Sequence, residues 1–214
     1  MNTTPLVVVI DDDESVRKSL SRLLKTANLD VATYANAQAL LQAEFSDRPT
    51  CILMDLRMPQ MNGLELQEAL ARGGWVAPIV FLSGHGDVAS VTRAMKAGAV
   101  DFLQKPVEED RLLQAVNQAL ERARLAQTEN HRRREIETKM ALLTPREREV
   151  FQYVVSGWLN KQVALELGVT EKTIKVHRAR VMAKMDVGSL AELVRLANSA
   201  GIEVVKQSDQ HVER

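Results

Sequence analysis

Short, mostly apolar runs recur five times in the first half of the chain, and helical patterns fill every gap between them. The runs are Leu6–Ile10, Asp30–Tyr34, Cys51–Met54, Pro78–Ser83 and Ala99–Leu103. Each is too short for a buried helix and is bounded by turn residues. Their near-continuous apolarity suits strands covered on both faces. The first gap, from Glu14 to Ala27, carries Val16, Leu20, Leu23 and Leu24 on one helical face, with Asp13 as its cap. Asn36 caps a second helix through Ala39, Leu40, Leu41 and Ala43, Asn62-Gly63 opens a third through Leu64, Leu66 and Leu70, and Asp87 and Gly98 bracket a fourth. A fifth carries Leu112, Leu113, Val116 and Leu120. Strict strand–helix alternation implies βαβ crossovers and a parallel sheet with helices on both faces.

In such a sheet the C-terminal strand ends share one edge, where open α/β sheets bind ligands. The first strand ends at Asp11-Asp12, the third at Asp55, the fourth at Ser83, and Lys105 follows the fifth. Two readings of the acidic run Asp11-Asp12-Asp13-Glu14 stand side by side. Either Asp13 caps the next helix and the others are solvated, or the carboxylates gather around a hard divalent cation with oxygen ligands. No general base stands beside Ser83 in the sequence, which argues against a hydrolase triad. No Gly-rich phosphate loop is present either, which argues against nucleotide hydrolysis.

The 214 residues allow one large domain or two modest ones. Charge divides unevenly: residues 1–120 hold 11 Lys and Arg against 15 Asp and Glu, and residues 141–214 hold 11 against 9. An acidic first half and a mildly basic second half suggest different partners. The single cysteine, Cys51, sits inside an apolar run, so no disulfide forms within one chain and a reducing compartment is expected. No apolar run approaches the roughly 18 residues of a membrane span. The first apolar run, Leu6–Ile10, leads straight into three Asp residues, so no signal peptide is expected.

Residues 121–139 are highly charged and lack Gly and Pro. They either extend the fifth helix or connect flexibly, and the run Arg132-Arg133-Arg134 reads first as a solvated helical face. Thr144-Pro145-Arg146-Glu147 then has the cap, first-turn proline and early acid of a helix start. A second helix begins at Asn160 and buries Val163, Ala164 and Leu167. Gly168-Val169-Thr170 turns the chain, and Thr170 caps a third helix to about Met185. Ser189 caps a fourth, and the tail after Ile202 reads as frayed. Two short helices joined by a glycine turn, the second of them basic, make a helix-turn-helix candidate. On the third helix Ile174, Val181 and Met185 share the core face, while Lys172, Lys175, Val176, Ala179 and Arg180 lie opposite. Cations suit phosphates and guanine edges, and a small apolar group suits a thymine methyl. The competing reading is the solvated face of a plain helical bundle. Arg178 projects nearer the apolar seam, which fits a structural ion pair with the first helix of this half as well as a phosphate contact. His177 reads as a packing or backbone-bonded residue with no metal partner near it.

The first ~125 residues resemble the receiver domain of two-component response regulators. The match rests on Asp11-Asp12, on Asp55 within Met54-Asp-Leu-Arg-Met-Pro59, on Ser83, on Phe102 and on Lys105-Pro106. The resemblance implies a five-stranded sheet in the order 2-1-3-4-5. It implies that Asp55 is the phosphoacceptor and that Mg²⁺ is held by Asp12, Asp55 and the Arg57 main-chain carbonyl, with Asp11 acting mostly through water. Lys105 and Ser83 would contact the phosphoryl oxygens, Phe102 would turn inward when Ser83 moves, and the bond before Pro106 would be cis. Residues ~141–203 resemble the LuxR-type four-helix DNA-binding domain, through Leu143–Val150, Asn160–Ala164 and Thr170–His177. That resemblance implies DNA contacts by Lys161, Thr170, Lys172, Thr173, Lys175, Val176, Ala179 and Arg180. Together the halves are similar to a FixJ-type response regulator. The expected division is a receiver over 1–122, a charged linker over 123–140, a DNA-binding domain over 141–204 and a tail over 205–214. The expected protein is a cytoplasmic transcription regulator, not a turnover enzyme. Its implied partners are a sensor histidine kinase, promoter DNA, a second copy after phosphorylation and RNA polymerase. The rivals are a phosphate-independent DNA-binding protein and a metal-dependent phosphatase on the same sheet.

Overall fold

The computed structural model describes residues 4–43, 48–75, 77–84, 88–199 and 201–202. The chain divides into two compact units, residues 1–128 and 129–214. In the first, β1 (Leu6–Ile10), β2 (Asp30–Tyr34), β3 (Thr50–Asp55), β4 (Ile79–Ser83) and β5 (Asp101–Gln104) alternate with α1 (Glu14–Thr26), α2 (Ala37–Leu41), α3 (Gly63–Arg72) and α4 (Val88–Lys96). The helix α5 (Glu109–Ala141) follows. All strand pairs are parallel, in the order β2-β1-β3-β4-β5. This is the fold class expected from the alternation of apolar runs.

The strand period of two sorts side chains between the sheet faces. Leu6, Val8, Ile10, Ile52 and Met54 pack with Leu40, Leu66, Leu70 and Ala94 from α2, α3 and α4. Val7, Val9, Cys51 and Leu53 pack on the other face with Leu24 of α1 and Leu112, Val116 and Leu120 of α5. β3 is paired on both sides, so Cys51 to Asp55 are all buried. Burial pushes the Cys51 thiol up to about 12.

Helix starts follow the expected capping chemistry. The Asp13 carboxylate accepts from the Ser15 and Val16 N–H groups, and Asn36 accepts from Ala39. Asn62 and Glu65 form a reciprocal capping box on α3. β5 and α2 depart from the sequence reading, and the charged segment takes one of its two expected forms. β5 is shorter at its start, because Gly98 turns at φ 92° and Ala99 and Val100 complete that turn as buried residues. α2 stops at Leu41 rather than reaching Ala43. The charged segment after residue 120 continues α5 as helix to Ala141. Pairs one turn apart support it, including Arg133–Glu137 at 3.0 Å and Lys139–Glu135 at 3.1 Å.

The second unit holds α6 (Pro145–Val155), α7 (Asn160–Glu166), α8 (Glu171–Met185) and α9 (Leu190–Ser199). Val150, Phe151, Val154, Val163, Ile174, Val181, Met185 and Leu193 form its buried core. Thr144 and Glu147 form a capping box on α6, and Thr170 Oγ1 accepts from the Thr173 N–H on α8. Buried Glu147 also takes the Lys184 ammonium at 2.6 Å, which ties α6 to α8. The Lys184 bond and the Thr144 N–H hold the Glu147 carboxyl down at about 2. Among the described residues no helix is long and apolar enough to cross a membrane.

Candidate functional site

The parallel sheet brings the ends of β1, β3, β4 and β5 to one edge, and the strand order sets which side chains meet there. Asp11 follows β1, and Asp55 ends the adjacent β3. Both are buried, at 1% and 6% exposure. Lys105 follows β5, two strands away, and its Nζ donates to Asp11 Oδ2 at 2.5 Å and to Asp55 Oδ1 at 2.6 Å. The Lys105 backbone N–H donates to the Ser83 carbonyl at 2.8 Å, which extends the β4–β5 ladder and aims the ammonium across the edge. The Lys105–Pro106 bond is cis.

Fixed donors surround the two carboxylates. The Arg57 N–H donates to Asp55 Oδ2 at 2.8 Å, and the Asp13 N–H donates to Asp11 Oδ1 at 2.9 Å. The Arg17 guanidinium holds the Asp11 main-chain carbonyl at 2.7 Å. Burial raises the Asp55 carboxyl above its usual range and the Asp11 charge adds to the rise, against the pull of Lys105 and the Arg57 N–H. Burial also works against the Lys105 ammonium, but the two carboxylates outweigh it and hold that group protonated beyond its ordinary range. The site is thus a buried, electron-rich carboxylate with a cation already beside it. Ser83 is buried at the end of β4, and Phe102 is partly buried with its ring centroid 6.2 Å from that of Phe81.

Asp12 is exposed at the rim of this edge. Among the described residues no group of three His, Cys, Asp or Glu side chains gathers tightly enough to cage a metal. Mg²⁺ does not need such a cage. It keeps several waters and binds through one or two carboxylates plus phosphate oxygens. Two hard carboxylates at a partly open edge, with a third acid at the rim, fit that donor set.

Gly63, which no periodicity singled out, also shapes the site. A Cβ there would lie 2.5 Å from the Asp55 carbonyl oxygen and 2.9 Å from the Phe81 ring. The Gly63 N–H donates to the Leu56 carbonyl at 2.9 Å. The start of α3 is therefore pressed against the segment that carries Asp55, and only glycine fits.

In the second unit Lys161, Thr170, Lys172, Lys175, Val176, Ala179 and Arg180 are exposed, and Thr173 is partly buried against its cap. Ile174, Val181 and Met185 are buried beneath α8. Lys175 pairs with Glu171 at 3.3 Å, a contact that solvent weakens. Arg178 does not make the expected ion pair with the first helix of this unit. Its guanidinium donates to Asn160 Oδ1 at 3.1 Å, which binds α8 to the start of α7 rather than to the first helix of the unit. His177 is partly buried, and its Nδ1 has no hydrogen-bond partner among the described residues. The expected cap at Asp87 and the tail over 205–214 lie outside the described residues.

A parallel sheet with this acid–lysine edge, followed by a helix-turn-helix unit, defines a class of signalling proteins that couple a receiver to DNA. Comparison with known proteins agrees. Residues 7–117 match the response regulator receiver domain, and residues 141–197 match the bacterial regulatory proteins of the luxR family. The chain belongs to the response regulators that join these two domains, a family of DNA-binding transcription regulators rather than turnover enzymes. It is 42% identical over 202 residues to the transcriptional regulatory protein FixJ of Bradyrhizobium diazoefficiens, covering 94% of this chain and 98% of that one. It is 40% identical over 191 residues to the response regulator protein TodT of Pseudomonas putida, covering 89% and 84%. Among solved structures the response regulator StyR matches with a TM-score of 0.82 at 43% identity, over 91% of this chain and 98% of that one.

Proposed function

We propose that Asp55 is the phosphoacceptor of this regulator, taking its phosphoryl group from a phosphohistidine on a sensor kinase. The observation that carries this reading is the Lys105 ammonium held 2.6 Å from Asp55 and 2.5 Å from Asp11. A deprotonated, desolvated Asp55 oxygen attacks phosphorus, the P–N bond of the phosphohistidine breaks, and its electron pair returns to the imidazole. Charge on the phosphoryl oxygens must be offset during transfer. Lys105 leaves Asp55 Oδ1 for one of those oxygens, acting as a point charge. Ser83 donates a hydrogen bond to another, and Phe102 fills the space that Ser83 leaves. Asp12, Asp55 and the Arg57 main-chain carbonyl would hold Mg²⁺, with Asp11 acting through water, and the ion would supply further charge neutralisation.

In the second unit α8 enters the major groove. Lys175 and Val176 face base edges with Ala179, while Lys161, Thr170, Lys172, Thr173 and Arg180 contact mainly phosphates. The receiver extends over 1–122 and the DNA-binding domain over 141–204, with the linker over 123–140 between them. Phosphorylation drives pairing of two copies through the α4 and β5 face, promoter binding follows, and RNA polymerase is the downstream partner. The protein acts in the cytoplasm. The direct test is labelling with acetyl phosphate. Mg²⁺-dependent incorporation that is lost in Asp55→Asn supports the assignment, and wild-type labelling of Asp55→Asn overturns it.

A further inference from the structure

At the opposite edge of the sheet from Asp55 lies a cavity of about 440 Å³. It opens beside the start of β3 and β4, near Ile52 and Ile79, whereas Asp55 and Ser83 stand at the far ends of the same strands. Leu70, Trp75, Pro78 and Ile79 give it an apolar wall. Two polar groups on its lining have no protein partner among the described residues, one buried and one open to solvent. Gln67 is 5% exposed, and its Oε1 is buried without a hydrogen-bond partner among the described residues. Its orientation is fixed, because Nε2 donates to the Ala97 carbonyl at 3.1 Å, and a flipped amide would set oxygen against oxygen. The other is Arg122 of α5, an exposed guanidinium on the same lining with no ion pair among the described residues.

A buried acceptor without a donor is uncommon in native proteins, since leaving it unpaired costs free energy. Pockets that bind small molecules combine an apolar wall with a few convergent polar groups, in volumes of roughly 300–1,000 Å³. We infer that this cavity is a small-molecule site, separate from the phosphoacceptor edge, for a compact carboxylic acid with an apolar ring and one hydroxyl or N–H donor. The donor satisfies Gln67 Oε1, the ring lies against Trp75 and Pro78, and the carboxylate pairs with Arg122. Because the same Gln67 amide holds the carbonyl of Ala97 just past α4, occupancy is felt by that helix.

The full chain in a Trp158→Phe background leaves Trp75, a wall residue, as its only tryptophan. Its fluorescence is titrated with three probes: 4-hydroxyphenylacetate, phenylacetate without the hydroxyl, and 4-methylphenol without the acid. 4-Hydroxyphenylacetate is expected to bind with Kd of about 1 mM, and each truncated probe about 10-fold more weakly. Arg122→Ala, at an exposed position, should weaken the two acids about 10-fold and leave 4-methylphenol unchanged. Gln67→Leu should abolish the advantage of the hydroxyl, with circular dichroism checking that the variant remains folded. Equal binding of all three probes, or an Arg122→Ala variant that binds every probe as the parent does, overturns the inference. So does no saturable change with any probe, which would mean that water alone satisfies Gln67.

Discussion

Replacing Gly63 by alanine tests how tightly the start of α3 is pressed against the Asp55 segment. The added methyl would lie 2.5 Å from the Asp55 carbonyl oxygen, 2.9 Å from Phe81 Cε1 and 3.2 Å from Leu56 Cα. None of these neighbours yields easily. Asp55 is paired with Leu82 in the sheet, the Leu56 N–H is bound to the Leu82 carbonyl at 3.0 Å, and Phe81 is fully buried. Relief requires the helix start to retreat, which stretches the Gly63–Leu56 hydrogen bond and loosens Leu64 and Leu66. Overpacking of this kind costs about 1–3 kcal/mol, and a weakened backbone hydrogen bond about 0.5–1.5 kcal/mol. The better helix propensity of alanine offsets at most about 1 kcal/mol. A net loss of roughly 2 kcal/mol is expected, lowering the urea midpoint of the first unit by about 1 M. Gly73 at the other end of α3 is the control. A Cβ there meets only ordinary contacts at 3.5 Å with φ at −76°, so Gly73→Ala should be neutral or stabilising by up to about 1 kcal/mol. Trp75 fluorescence in the Trp158→Phe background reads the transition. Displacement of Asp55 should also slow acetyl phosphate labelling by 10-fold or more. A Gly63→Ala midpoint at or above that of Gly73→Ala would refute the reasoning.

Four further outcomes are expected. Asp12→Ala should suppress Mg²⁺-dependent labelling of Asp55 while leaving the unfolding free energy from urea titration within about 0.5 kcal/mol of wild type, since Asp12 is exposed. Glu147→Gln should destabilise the second unit by about 1.5–3 kcal/mol at neutral pH. Because the folded Glu147 carboxyl sits at about 2, below its ordinary 4.5, that advantage is complete above pH 5 and shrinks as pH falls from 4.5 toward 2. Urea unfolding followed by Trp158 in a Trp75→Phe background checks both the size and the pH window. Lys172→Ala should weaken binding to all DNA sequences and lower the salt slope by ~1, whereas Val176 substitutions should change sequence preference, both measured by fluorescence anisotropy across salt concentrations. Beryllofluoride should shift the protein from monomer to dimer in sedimentation and tighten operator binding by roughly 5–150-fold; unchanged mass and affinity would sink that coupling.

The strands and their shared edge were readable because burial on both faces leaves a plain mark, an unbroken apolar run ending in a charged or hydroxyl residue. The caps at Asp13, Asn36, Asn62, Thr144 and Thr170 were readable for a similar reason, since each acts on its own helix within three residues. Contacts between elements distant in sequence left no such mark. Nothing local distinguishes Gly63, whose neighbour is a backbone oxygen eight positions earlier, from a glycine that merely starts a helix. Gln67 carries no local mark either, and only the approach of the end of α4 makes its amide a buried clamp. Arg178 was placed near the apolar seam correctly, but its partner, Asn160, depends on how α7 meets α8. The acids at the end of β1 were read as a pair, and their unequal surroundings, Asp11 buried and Asp12 exposed, follow from which side of the turn faces the sheet.

Cys51 gives this protein an internal clock. It is the chain's single thiol, fully buried in β3 between β1 and β4, opposite Val7 in the ladder. With its ionisation pushed up to about 12, it cannot react with a disulfide reagent where it stands. Modification must wait until the strands part. The rate at which the thiol is consumed therefore counts openings of the sheet, and only of the sheet, because the helical unit after residue 128 contains no cysteine to add to the count. Whatever tightens or loosens the acid–lysine edge, whether a phosphoryl group, a metal ion or a substitution, can be timed from inside the strand that carries Asp55, without attaching a probe to the surface that meets the kinase or the DNA.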